Sequence, residues 1–307
     1  MISLRQHAIS LVAVFLALAV GVVLGSGFVA DTFGSASDAQ DNREQELRDE
    51  NQQLTNNVNS ANNFDTAIAG RLLAGSLTDR PVLIITAPGA DEGDVAAVKD
   101  NLNKSGAIVS GQLALTESFV NDQNAEKMRS IVDQSIPPGS TLNTELTDSG
   151  GRAGDLLGLL LNLSPEDAEP QVDAPATEAG LAALEQGGFI QPTGGTVAPA
   201  QLSIIVTGNK FADDSGARGQ VVSRFAAAYS ERGAGTVLVG RTGSAEGSSP
   251  IAVVRADPGL NAQVSTVDNV DQTTGRITAV LALTDELGNK NGAYGTGPGA
   301  TAIAPES

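Results

Sequence analysis

The sequence predicts an α/β protein: an N-terminal transmembrane helix and a short coiled coil, followed by a mostly parallel-sheet α/β domain. Three observations lead there. Residues 6–30 carry no formal charge. Residues 38–63 hold neither Pro nor Gly, and Leu47, Asn51, Leu54, Val58 and Ala61 recur at alternating spacings of four and three. From Arg80 onward, short continuous apolar runs alternate with amphipathic stretches. Such alternation marks strands laid side by side with helices over both faces. The expected boundaries are an anchor over 1–30, a membrane-proximal helix over 31–65, an α/β domain over 66–290 and a Gly-rich disordered tail over 291–307.

The uncharged run comes first. A helix of about 25 residues rises roughly 37 Å, enough to cross a ~30 Å hydrocarbon core with some tilt. Within it small residues recur every fourth position, at Ala13, Ala17, Gly21 and Gly25. They share one helix face and would let two such helices approach closely. Arg5 precedes the run, and Asp31, Asp38 and Asp41 follow it. The positive-inside tendency then puts the N-terminus in the cytoplasm and the rest outside, as a single-pass protein of the cell membrane. A secretory signal would look similar, with a shorter apolar core. Its cleavage candidates are poor here, since Ala30 follows bulky Phe28 by two residues and Ala36 and Ala39 lie far from the run. A retained anchor is the expectation.

The next segment fits the d-a-d-a-d positions of a heptad, with Asn51 at one a position. A lone Asn there favours a two-stranded state in fixed register at some cost in stability. So short a coil is marginal alone. Beside an already paired anchor the partner's local concentration is high, and the coil can form. A homodimer in the membrane is therefore expected.

In the globular part Pro81–Thr86 reads as a buried strand, Asp91–Lys104 as a helix stopped by Gly106, and Ala107–Leu115 as a second strand. Glu117–Gln134 reads as a helix, and Leu156–Leu163 begins another. An acidic, Pro-containing insertion near 163–200 includes a helix near Ala176–Gln186. Strands are then expected at Leu202–Thr207, Thr236–Val239 and Ile251–Arg255, and helices at Arg218–Arg232 and Thr273–Leu287. In such sheets ligands bind at the carboxyl ends of the strands, so the loops Ala87–Asp94 and Gly240–Gly247 are the ones to inspect.

Composition narrows the chemistry. Net charge is −18 over 307 residues, which argues against nucleic acid or an anionic membrane surface as the main ligand. Trp is absent, Tyr occurs twice and Phe eight times, too few for the aromatic girdles of an outer-membrane barrel. No cysteine is present and the one histidine is His7, so Ser-His-Asp and Cys-His arrangements in the exported domain are excluded. No cofactor is expected and no enzymatic activity, although Asp91 and Asp268 are the carboxylates an enzyme would use. The cluster Asp91, Glu92 and Asp94 could hold a hard cation, but a carboxylate-rich helix N-terminus explains it more simply. Gly240, Arg241 and Gly243 follow a strand and could cradle an anion on backbone N–H groups. Soft-metal ligands are limited to Met1, Met128 and His7, from which one chain cannot build a high-affinity copper site.

The opening run Met1–Ala8, continuing through Val14–Ala19 to Gly21–Gly27, resembles the actinobacterial copper transport protein family, MctB-like. The resemblance continues at Asn63-Phe64-Asp65, Ala125–Val132, Gly154–Gly158, Arg224–Ala228, Ser265–Asp268, Gly275–Thr278 and Tyr294–Gly297. It thus covers nearly the whole chain and is weakest over 36–60 and 163–200. It implies copper efflux through the envelope and an outer-membrane location. Related proteins called SteB imply instead a partner, SteA, and control of septal cell-wall hydrolysis through the coiled coil. The residues themselves favour a membrane-anchored dimeric scaffold, acting on a protein partner of the envelope or division machinery, over a pore. Copper is implied by the resemblance alone.

Overall fold

The computed structural model describes the backbone over residues 4–212 and 214–306, and the side chains of these except 4–8 and 24–41. The chain divides into two units, Met1–Ala61 and Asn62–Ser307. Helix α1 (Leu4–Leu73) runs through the first and opens the second. Among the described residues no helix is long and apolar enough to cross a membrane. The described part of the apolar run, residues 9–23, would rise only ~22 Å against a ~30 Å core. Arg5, His7, Gly25 and the rest of the expected anchor lie outside the described side chains.

The second unit is one seven-stranded sheet in the order β3-β2-β1-β4-β5-β6-β7. Its elements follow in chain order: β1 (Pro81–Thr86), α2 (Glu92–Ser105), β2 (Ile108–Leu115), α3 (Ala125–Gln134), α4 (Ser149–Leu161) and α5 (Ala174–Gln186). Then come β3 (Ile190–Thr193), β4 (Leu202–Val206), α6 (Arg218–Ser230), β5 (Thr236–Val239), α7 (Pro250–Ala256), α8 (Pro258–Asn261), β6 (Ser265–Val267), α9 (Thr273–Leu287) and β7 (Ala293–Tyr294). All neighbours are parallel except β2 and β3, where Leu115 sits opposite Ile190. In β1, Val82, Leu83, Ile84 and Ile85 are fully buried, which a strand covered on both faces requires.

Leu83 and Ile85 point into one core with Met128 and Val132 of α3, Leu156 and Leu160 of α4, Leu184 of α5, Phe225 of α6 and Ile251 of α7. Val82 and Ile84 point into the other, with Ala69 and Leu73 of α1, Val98 and Leu102 of α2, and Val280 and Leu283 of α9. Burying each such side chain contributes about 1.5–3 kcal/mol. Helix α4 carries Gly150, Gly154 and Gly158 against α6. A Cβ on Gly150 or Gly154 would stand 2.4 Å from the carbonyl oxygen of Val221 or Phe225. The two backbones therefore touch, and only glycine fits.

Several sequence expectations are corrected. Ile251–Arg255 is not a strand but lies in α7: Pro250 at the first helical turn, after extended Ser249, pre-sets the helix and outweighs the β-branched residues. Helix α3 begins only at Ala125, because Asn121 caps a separate 3₁₀ turn at Asp122–Asn124. The insertion near 163–200 supplies α5 and the antiparallel edge strand β3. Strand β6, only three residues long, had no strand signal of its own.

The segment expected as a disordered tail over 291–307 instead contributes β7 beside β6 and is fastened by a buried ion pair. Arg255 Nη1 lies 2.5 Å from Asp268 Oδ2, and both side chains are buried. Asp268 also accepts from the backbone N–H groups of Thr296 and Gly297, at 2.8 and 2.9 Å. Arg255 donates to the carbonyls of Tyr294 and Pro298. Burial pulls the Arg255 guanidinium down from its ordinary value, against the pull of Asp268. At the amino end of the same strand, β6, Glu286 of α9 is buried and accepts from Ser265 N at 3.0 Å. Burial pushes its carboxyl up to about 7.

Candidate functional site

Strand β2 lies on one side of β1, and β4 to β7 are added on the other. This reversal of winding opens a crevice at the carboxyl ends of β1 and β4, the usual ligand position in such sheets. The two loops flagged in the sequence do meet there. Helix α2 starts at Asp91, whose Oδ1 accepts from Gly93 N and Asp94 N at 2.9 and 3.2 Å. Asp94, buried in the first turn, is held between two arginines. Arg241 Nε lies 3.1 Å from its Oδ2, and Arg276 Nη2 lies 3.0 Å from its Oδ1. Arg241 Nη1 also sits 3.5 Å from Asp91 Oδ2.

The loop of Gly240, Arg241 and Gly243 holds an anion of the chain's own. Asp271 Oδ1 accepts from Thr242 N at 2.8 Å and from Thr242 Oγ1 at 3.1 Å. Gly243 takes φ +92°, a left-handed backbone that favours glycine. Arg276 adds hydrogen bonds to the carbonyls of Val270 and Asp271. The cluster ties α2, the β5–α7 loop and the β6–α9 loop together, and its charges are largely spent on one another. Arg276 lies in a segment that carries the family resemblance, but nothing in the sequence tied it or Asp271 to this site; only the fold brings them in.

The open part of the crevice lies between Gly89 and the β4–α6 loop. A cleft of about 460 Å³ is lined by Pro88, Gly208, Asn209, Lys210, Phe211 and Arg218. A second cavity of about 450 Å³, which includes Asn121 and Gln123, shares Glu117, Ser215 and Arg218 with it. At the floor a Cβ on Gly208 would stand 2.2 Å from the Gly89 carbonyl oxygen, so glycine alone allows the loops to close. Arg218 pairs with Glu117, and Lys210 Nζ lies 3.5 Å from Glu246 Oε2. Pro88, Gly89 and Glu246 lie in the loops flagged in the sequence, but the sequence reading missed the others. The usable signal was the length of the β4–α6 loop, eleven residues from Thr207 to Ala217, well beyond the common two to six.

The residues expected at an anchor and dimer face lie along α1. Ala13, Ala17 and Gly21 are exposed. Leu47, Leu54 and Val58 are each more than half exposed. Asn51 is exposed and donates its Nδ2 to the Leu47 carbonyl at 2.9 Å. Of the soft-metal candidates, Met128 is buried in the core, and Met1 and His7 lie outside the described side chains. Among the described residues no three His, Cys, Asp or Glu side chains gather as a metal site.

The chain matches the family described as "Copper transport outer membrane protein, MctB" over residues 1–305. It is 45% identical over 311 residues, 99% of each chain, to a Mycobacterium tuberculosis protein named Copper transporter MctB. The same holds for the Mycobacterium bovis protein of that name. The Mycobacterium leprae protein of that name is 45% identical over 323 residues, again 99% of each chain.

Proposed function

Because the chain belongs to the MctB family of copper transport proteins, we propose that it serves copper homeostasis in the cell envelope as a membrane-anchored dimeric scaffold. The observation that carries this reading is the build of the second unit. Its seven strands form an open sheet whose two faces are filled by hydrophobic cores under helices. Such a head suits recognition of a partner at its surface better than conduction through its middle. The ligand inventory agrees, since thioether and imidazole are scarce and Met128 is buried. Copper is then the cargo of the process the protein serves, and the head acts through other proteins.

The anchor is the uncharged run of residues 6–30, and pairing runs along Ala13, Ala17, Gly21 and Gly25 and then Leu47, Asn51, Leu54 and Val58. A cysteine at position 54 in membranes tests the pairing: crosslinked dimers are expected, and monomers alone would refute it. Purified full-length protein in planar bilayers tests the scaffold reading. Unitary conductance abolished by Leu18→Arg would replace the scaffold with a pore.

The exposed stripe of Leu47, Leu54 and Val58 favours a second reading. In it the protein is a SteB-like division factor, binding a SteA-like partner and controlling septal peptidoglycan hydrolysis through the coil. Pull-down from detergent-solubilised membranes separates the two. A division protein lost on Leu54→Glu favours the second, and envelope copper-handling proteins favour the first.

A further inference from the structure

We propose that the groove at the carboxyl ends of β1 and β4 binds a glycan chain. Position is the first ground, since this crevice is where a sheet of this winding leaves room for a ligand. The second is the eleven-residue loop from Thr207 to Ala217, since loops this much longer than the norm in α/β units are commonly functional. The third is the chemistry of the walls. Phe211 is half-buried and gives the groove an aromatic surface, with its N–H fixed to Ser249 Oγ at 2.8 Å. Around it stand planar hydrogen-bonding side chains: Asn209 beside Phe211, and Asn121 and Gln123 in the adjoining cavity.

A sugar ring matches this set. Its C–H face stacks on an aromatic ring, and its hydroxyls, each donor and acceptor, pair with amides and carboxylates. The charges point the same way. Lys210 and Arg218 each face a glutamate, and the lining carries two further carboxylates, Asp122 and Asp214, so the groove disfavours a phosphate, while among the described residues no three carboxylates gather to hold a metal ion. Either cavity alone is the size of a small-molecule site, and two sharing Glu117, Ser215 and Arg218 suit an oligomer. The close contact of Gly208 with Gly89 holds the floor in place before any ligand arrives. The proposal stands whether or not copper homeostasis is the protein's role.

The test uses full-length protein in a detergent without a sugar headgroup. Saturation-transfer NMR and calorimetry are run with short oligomers of N-acetylglucosamine, glucose and galacturonate, and with inorganic phosphate. One oligomer series is expected to bind, more tightly as it lengthens, with ring C–H protons closest to the protein. Phe211→Ala should weaken it about tenfold, roughly 1.4 kcal/mol. Asn209→Ala, at an exposed position, should weaken it as well while leaving the circular dichroism and melting curve unchanged. Three results would overturn the proposal: no series binding at millimolar concentration, phosphate binding in preference, or affinity untouched by Asn209→Ala and Phe211→Ala alike.

Discussion

Replacing Glu286 by Gln should stabilise the protein at neutral pH and do nothing at acid pH. The carboxyl is buried under α9, keeps one oxygen on Ser265 N, and borders a polar cavity with Lys290. Burial raises it from 4.5 to about 7, and nearby Asp285 adds to the rise while the Ser265 hydrogen bonds oppose it. An acid with a raised value holds its proton more tightly in the folded state than in the unfolded chain. The folded state therefore bears no cost below about pH 4.5, a growing cost between 4.5 and 7, and the full cost above 7. At 1.36 kcal/mol per unit, that full cost is about 3 kcal/mol. Glutamine keeps an acceptor for Ser265 N and removes the charge. Urea denaturation of wild type and Glu286→Gln at pH 5, 6, 7 and 8 reads the difference directly. The variant's advantage should be small at pH 5 and approach about 3 kcal/mol at pH 8, or roughly 6–12 °C in Tm for a domain of this size. A pH-independent difference would refute the reasoning.

Asp94→Asn should cost about 2 kcal/mol, because a buried carboxylate facing Arg241 and Arg276 is removed while both guanidinium groups still reach solvent. An unchanged urea midpoint would show that the cluster contributes nothing. Deleting residues 293–307 strips Arg255 and Asp268 of Tyr294, Thr296, Gly297 and Pro298 while leaving the pair in place. Stability should fall by about 3 kcal/mol or more, and a truncated protein melting like the whole one would contradict the fastening role. Met128→Leu should cost less than ~1.5 kcal/mol and leave copper tolerance intact in a host lacking its own family member. Lost tolerance in a folded variant would make Met128 a copper ligand.

The parts of the fold legible in the sequence are those whose signal is local. Pro81–Thr86 is apolar throughout, and Asp91 and Gly106 mark both ends of α2; Gly106 takes φ +85° where the helix stops. Ile251–Arg255 was misread because a run of β-branched residues looks like a strand until Pro250 is weighed as a helix start. Ser265–Val267 and Ala293–Tyr294 are too short to show periodicity, and they become strands only because β5 is there for the first to pair with and β6 for the second. The loops Ala87–Asp94 and Gly240–Gly247 are legible because each follows the carboxyl end of an expected strand. Their joining by Asp94, and the groove beside Phe211, depend on side chains far apart in the chain. The tail was misjudged because its glycines suggest freedom, while the buried carboxylate that captures it, Asp268, lies almost thirty residues earlier.

The glycine ladder of α4 bears on how the N-terminal pattern is understood. Gly150, Gly154 and Gly158 repeat the four-residue interval of Ala13, Ala17 and Gly21, yet they join two helices of one folded chain inside a water-soluble type of core. That interval measures how near two helix axes can come and is silent about the medium around them. In the head that spatial rule brings the chain's own helices together, and the pairing proposed for Ala13, Ala17 and Gly21 would use it a second time.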